Sequence, residues 1–449
     1  MTGWKKCWIL FLPLLLSGCM MSASAESLYA LPQLPEEYGA LSAQLAEILA
    51  SGAEYAPPQS GRNLPPVQKV DLDGDGSDEV LAFFRISSEE RSPLKIYIFR
   101  AVEEGYQLAG RIDGSGTSIH SFLYEDMNGD GIQELVVSWS VSAEVQAMSV
   151  YMLEDLEPVQ VMSTSYARYT LADMDSDDDQ ELVVLRSDDA ETGFCLADYY
   201  DWGGGSSSLQ LQSTAKLSVS VAALQWVQVG ALRGGKPAVF VTSRLADTNE
   251  TITDILVYRQ GGLENVVLSS DTAVSTQISP ATNLQPWDIN DDGATEVPMP
   301  EPLPSEGGGE AYWKIYWHSY GADGAGQVQA LTYHNLTDKW FLIIPPEWDG
   351  RFAVRQNNIS SSVHATTFYS VLGRAVGDEL MTIYTFTGTD REAQAAKGGR
   401  TILRRRAGLD TVYAVTFSSA YENWSYAVSQ DVISESFKLI VNQWSMGEN

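Results

Sequence analysis

The chain has 449 residues, 44% hydrophobic and 10% aromatic, enough for two or three domains with substantial cores, so it is not a disordered chain. Its formal charge of −31 leaves no basic face for nucleic acid and suits cations, basic partners or plain solubility. The charge is uneven: residues 20–324 carry 15 Lys+Arg against 47 Asp+Glu, whereas residues 325–449 carry 11 against 12, which argues for at least two domains.

In chain order, Lys5 and Lys6 precede an apolar run from Cys7 to Leu16, too short to span a bilayer permanently. The tetrapeptide Leu16-Ser17-Gly18-Cys19 follows and resembles a bacterial lipobox, whose cysteine is lipidated and becomes the first mature residue. Residues 1–18 are therefore expected to be a lipoprotein signal peptide, and Cys19 a lipid anchor on the extracytoplasmic side of the cell membrane. Two or more acyl chains, at about 0.8 kcal/mol per buried CH₂, make a stable anchor. Residues 19–55 continue as a small, polar tether and an amphipathic helix. Glu36 and Glu37 suit the start of that helix, Leu41, Leu45, Ile48 and Leu49 form its apolar face, and Gly52 suits its end. "PPQSGRNLPP" then reads as an extended linker.

A nine-residue pattern recurs next. Asp71, Asp73, Asp75 and Glu79 occupy positions 1, 3, 5 and 9, with Gly76 at position 6. Asp126, Asn128, Asp130 and Glu134 repeat this with Gly131, and Asp288, Asn290, Asp292 and Glu296 repeat it with Gly293. Asp173, Asp175, Asp177 and Glu181 keep the acids but carry Asp178 in place of the glycine. A fifth copy, "QVGALRGGKPAVFV", keeps Gly235 at position 6 and has Gly230 and Ala238 at positions 1 and 9, the turn without the carboxylates. The starts at 71, 126, 173, 230 and 288 put the unit at about 54 residues.

The spacing suits calcium, which takes about six to eight oxygens at about 2.3–2.6 Å. Side chains at positions 1, 3, 5 and 9 of a tight loop converge on one point, and position 6 needs a positive φ. An EF-hand would place a bidentate glutamate at position 12, where this chain has Ala82, Val137, Val184 and Met299. The runs after the loops ("EVLAFF", "ELVVSWSV", "ELVVLRS") and before them ("SIHSFLYED", "RYTLADMD", "ALQWVQVG") read as strands, so each loop joins two strands. One unit reads through as four short antiparallel strands, the signature of a β-propeller blade.

These loops resemble the FG-GAP/VCBS repeats of integrin α propellers and many bacterial surface proteins. The resemblance covers residues 56–330 and implies a mainly β fold: a propeller of four-stranded blades with a calcium-binding hairpin loop in each. Five motifs favour five blades, and strands before Asp71 or an unmarked blade leave room for a sixth.

Residues 331–449 read as a small C-terminal α+β domain, with strands in "DELMTIYTFTG" and "TVYAVTFSSA" and helices in "TDREAQAAKGG" and "SQDVISESFKLIVNQW". Arg404–Arg406 reads as a solvated turn. Cys195, the one cysteine left after the signal and anchor, reads as a buried small hydrophobe, and the tryptophans as blade-core residues. His120, His318, His334 and His364 are scattered, and no nucleophile-elbow, phosphate-loop or dinucleotide motif is present, so no catalytic residue is assigned. The expectation is a lipid-anchored, calcium-stabilised binding, adhesion or scaffold module for a protein or a cell-wall or glycan polymer. Its rivals are a glycan-processing enzyme whose carboxylates lie outside the loops and a spacer holding the C-terminal domain off the membrane.

Overall fold

The computed structural model describes residues 39–440 apart from 104, 143–144, 189–192, 203–207, 246, 306–311, 374, 407 and 409. The signal segment, Cys19 and the expected helix start at Glu36 and Glu37 lie outside the described residues.

The fold is mainly β, built of consecutive antiparallel sheets in the manner of a β-propeller. The first sheet runs Val67–Val70, Glu79–Ile86, Leu94–Val102 and Gly105–Gly114. The second runs Ser118–Glu125, Glu134–Ser140, Gln146–Glu154 and Glu157–Tyr166. The third runs Arg168–Ala172, Glu181–Ser187, Cys195–Asp201 and Gln210–Lys216. The fourth runs Leu224–Ala231, Pro237–Leu245, Glu250–Arg259 and Gly262–Asn265, with Ile278–Pro280 added beside Glu250–Arg259. Each chain segment enters on the innermost strand and works outward, one hairpin at a time.

Stacking explains the sequence of the second strands. Glu79–Ile86, Glu134–Ser140 and Glu181–Ser187 are buried along most of their length, with consecutive apolar residues after each glutamate, because both faces meet another layer. Side chains of sheets one and two share one apolar layer around Phe83, Phe122 and Val137. Sheets two and three share another around Met127, Val136 and Leu182, and sheets three and four a third around Val183, Val239 and Leu256. Phe240 and Val257 of sheet four meet Val297 and Tyr320 of sheet five. The outermost strands face solvent instead, as in Gln210–Lys216, where Ala215 is the one buried residue.

Helix α1 (Gly39–Ala50) covers the remaining face of the first sheet, with Leu41 and Leu45 buried against Val80, Phe84 and Phe99. Gly52, at φ 95°, ends the helical turn as its position suggested. The chain then adds Ala53–Tyr55 to the first sheet, Tyr55 opposite Phe84. The expected linker does not run free. Ser60 bridges Ser121 in parallel, and Asn63 Nδ2 donates to the Phe122 carbonyl at 3.3 Å, so it is pinned to the second sheet's innermost strand.

The fifth sheet contains Val297–Pro302, Trp313–Tyr320, Gly326–Asn335, Trp340–Ile343 and, from the far end of the chain, Phe437–Leu439. The boundary expected between 330 and 331 therefore falls inside a strand. The last segment also departs from expectation: helix α4 is to be counted after α2 (Arg391–Ala395) and α3 (Ser419–Glu422), and it covers Gln430–Ser436 only. Phe437 leaves it as strand because its ring packs 5.3 Å from that of Trp340 in the core. A sixth sheet, Phe352–Ser360, Val363–Leu372, Ala375–Phe386, Thr411–Phe417 and Thr401–Arg406, packs on the fifth through Tyr333, Trp340, Leu342, Trp348 and Phe368. Arg404–Arg406 lies in the edge strand of this sheet rather than in a turn, paired with Thr411–Tyr413. Trp317, Trp340 and Trp348 are fully buried, and so is Cys195, whose thiol burial pushes up to about 12.

Leu45→Ala should remove about 2–5 kcal/mol of stability by opening a cavity under α1. Urea unfolding followed by tryptophan fluorescence reads this as a lowered midpoint, and an unchanged midpoint would mean that α1 is not part of the cooperative core.

Candidate metal centres

Every sequence-identified loop joins the innermost strand of a sheet, or its remnant at Trp287, to the second strand, so all four sit at corresponding corners of the fold. Position 1 organises the turn. Asp71 accepts from the backbone N–H of Gly74 at 2.8 Å and of Gly76 at 3.0 Å. Asp126 accepts from Asp130 at 3.1 Å and Gly131 at 2.9 Å, and Asp288 from Asp292 at 3.0 Å and Gly293 at 2.8 Å. Asp173 holds Ser176 at 2.7 Å and Asp177 at 3.2 Å. Position 5 holds position 7: Asp75, Asp130, Asp177 and Asp292 accept from the backbone N–H of Ser77, Ile132, Asp179 and Ala294. Asp73, Asn128 and Asn290 accept from the N–H of position 5. Asp178 takes φ 76°, the conformation that glycine supplies at this place in the other loops.

Position 9 is the floor of each loop. Glu79 and Glu134 are 1% exposed, and Glu181 and Glu296 are 0% exposed. One oxygen of each accepts from the N–H of position 2: Leu72 at 3.0 Å, Met127 at 2.9 Å, Met174 at 2.6 Å and Ile289 at 3.1 Å. In the loops at 71 and 173 an oxygen of the glutamate also lies within 4.8 Å of oxygens of the aspartates above it. Oε1 of Glu181, Oε1 of Glu296 and Oδ1 of Asp175 are buried without a hydrogen-bond partner. An orphaned buried carboxylate oxygen is costly unless a cation meets it.

The electrostatics agree. Burial, and then the charges of Asp130 and Asp126, push Glu134 up to about 7. Burial and Asp175, Asp177 and Asp201 push Glu181 up to about 8, and burial with Asp292 and Asp288 pushes Glu296 up to about 7. Glu79 is raised for the same reasons, and Asp175 is pushed up to about 6 by burial, Asp177 and Asp201. In the loops at 71 and 173, where ligand oxygens lie within 4.8 Å of one another, two carboxylates repel by at least roughly 3 kcal/mol at an effective dielectric of about 20.

Convergence differs among the loops. Ligand oxygens of Asp173, Asp175, Asp177 and Glu181 all lie within 4.8 Å of one another, as do those of Asp71, Asp73 and Glu79. Among the described residues these are the two groups of three or more His, Cys, Asp or Glu side chains that meet so closely. Asp75 stands outside the first group. In the loops at 126 and 288 position 3 is an asparagine, and the three acids alone do not reach that spacing. The residues present fit a hard cation with oxygen ligands.

No protein-family model matches the chain, and no curated protein matches it in sequence. Among solved structures it is similar to one described as "Structure of Dos1 propeller", at 8% identity and a TM-score of 0.30, over 81% of this chain and 82% of that one.

The fifth copy of the motif is a bare turn. Gly235 keeps φ 82°, while Arg233 at position 4 reaches across to Gln327 Oε1 at 3.0 Å in the fifth sheet. Two elements escaped the sequence pattern. Position 4 also takes positive φ, at Gly74, Gly129, Ser176 and Asp291. Position 2 is Leu, Met, Met and Ile, an apolar regularity that signals its buried role. The clefts along the innermost strands, about 200 and 80 Å³, are lined by Arg62, His120, Gln146, Arg168, Tyr169 and neighbours, with Glu125 the one carboxylate among their lining residues.

A carboxyl whose folded pKa is raised favours folding fully below its unfolded value, about 4.3, and that contribution is lost as pH rises through the folded value. Metal-free protein should therefore lose stability from about pH 5 to 8. Glu181→Gln, which still offers an acceptor to Met174, should flatten that profile in chelator; an unchanged slope in urea midpoints would count against a buried, strained Glu181.

Proposed function

We propose that the chain is a lipid-anchored, calcium-stabilised extracytoplasmic protein of five β-propeller-type blades packed in series, acting as a binding, adhesion or scaffold module for a protein or a cell-surface polymer. The single observation that carries the calcium reading is the repeated wiring of the four loops, each with a buried glutamate that holds position 2 with one oxygen beneath a turn of acidic side chains, which converge within 4.8 Å at 71 and 173. Asp71, Asp73, Asp75, Glu79 and their counterparts hold the ion, so the loops serve stability rather than chemistry. Calcium supplies the positive charge that lets these acids share a corner.

The blades correspond to the first five sheets, the fifth enlarged by Trp340–Ile343 and Phe437–Leu439. The C-terminal α+β unit docks on that blade and shares its core, so the propeller and the C-terminal unit act as one body. Cys19 tethers this body to the membrane through residues 20–38. The partner meets a surface that the loops hold in shape.

Two experiments test the reading. Calcium added to chelator-treated protein should raise the melting temperature in proportion to the logarithm of its concentration above the Kd, because it binds the folded state. No shift would remove calcium from the account. Cys19→Ser should move the protein expressed in a lipoprotein-processing host from the detergent phase to the aqueous phase on phase partitioning; continued detergent partitioning would remove the anchor.

A further inference from the structure

The loops are not separate. The backbone N–H of position 8 in one loop donates to the carbonyl of position 2 in the loop before it. Gln133 donates to Leu72 at 2.8 Å, and Gln180 donates to Met127 at 2.6 Å. Each donor stands immediately before a floor glutamate, and each acceptor residue has its own N–H held by the previous floor glutamate. The series thus runs Glu79, Leu72, Gln133, Glu134, Met127, Gln180, Glu181 and Met174 without a gap. Neighbouring loops also touch: a Cβ added to Gly74 would lie 2.6 Å from the Gly131 carbonyl, and one added to Gly129 would lie 3.2 Å from Asp179 Oδ1.

The next link is missing. Position 8 of the metal-free turn in the fourth sheet is Pro237, which has no N–H to donate to Met174. Beyond the gap the pattern resumes, since Thr295 donates to the Ala231 carbonyl at 2.8 Å, but Ala231 belongs to the turn without carboxylates.

We propose that the loops at 71, 126 and 173 fill with cations as one cooperative series, and that the loop at 288 fills independently of them because Pro237 breaks the chain of peptide hydrogen bonds. This rests on the calcium reading above. An ion that fixes Glu134 fixes the peptide of Gln133, and so presents to Leu72 the geometry that the ion-bound first loop needs; coupling of this kind is reciprocal. The protein would then respond to calcium in two steps, a steep one for the first three blades and a shallow one for the last.

Calorimetric titration of the metal-free full-length chain with calcium tests this. Wild type should show a cooperative class of three sites and a separate single site. Gln133→Pro removes one link and no carboxylate; it should keep four sites but weaken the series at least about five-fold. Glu134→Gln, which keeps an acceptor for Met127, should remove one site and weaken the rest of the series by a similar factor, and it decides the matter if the proline variant fails to melt cooperatively. Glu296→Gln should remove one site and leave the other three unchanged. Remaining sites of unchanged affinity in both Gln133→Pro and Glu134→Gln would overturn the coupling while leaving calcium in place. No calcium heat in wild type would instead overturn the calcium reading on which it rests.

Discussion

A buried carboxylate holding a single backbone N–H fixes the corner of each acidic loop. Glu79, Glu134, Glu181 and Glu296 each lie under a turn and hold the peptide of position 2 at 2.6–3.1 Å. That bond sends the side chain of position 2 inward, so Leu72, Met127, Met174 and Ile289 enter four different apolar clusters. The same glutamate begins the second strand of its sheet in the first three cases, so one residue fixes turn, register and core contact together. The arrangement leaves the acids above it crowded, and it stabilises the fold only when their charge is offset.

The fourth sheet makes the contrast from within the molecule. Its turn keeps the positive φ of Gly235 and the flanking strands but has Ala238 where the floor glutamate would stand. With no buried acid it needs no cation, and Arg233 is free to reach the fifth sheet's Gln327. The ends of the stack follow a similar economy of surface. Helix α1 covers one face of the first sheet, and the sixth sheet covers the fifth, so large apolar faces are closed by different elements at each end. Among the described residues no buried apolar cluster joins the first sheet to the fifth.

Much of this was legible in the sequence because loop chemistry is local. Position 1 side chains bind amides three to five residues away, and the strands flanking the loops are continuous apolar runs, so a nine-residue pattern carried both the turn and its sheets. The sequence pattern also placed Asp178 in a glycine-like conformation, since aspartate tolerates positive φ. What it did not carry depends on contacts distant along the chain. Phe437–Leu439 looks helical by its own neighbours and becomes strand through Trp340, nearly a hundred residues earlier. The segment 56–66 looks like a linker because its hydrogen bonds go to distant carbonyls, those of Phe83 in the first sheet and of Ile119, His120 and Phe122 in the second. The links from Gln133 and Gln180 run through backbone groups, which any residue but proline supplies, so side-chain identity could not reveal them; only Pro237 left a trace.

The central claim is that four acidic corners of one repeated design hold calcium. Native mass spectrometry of the chelated and calcium-reloaded chain counts the ions directly. The account expects four calcium ions per chain and three in Glu296→Gln. A reloaded chain that carries none, or the same number in wild type and Glu296→Gln, would contradict it.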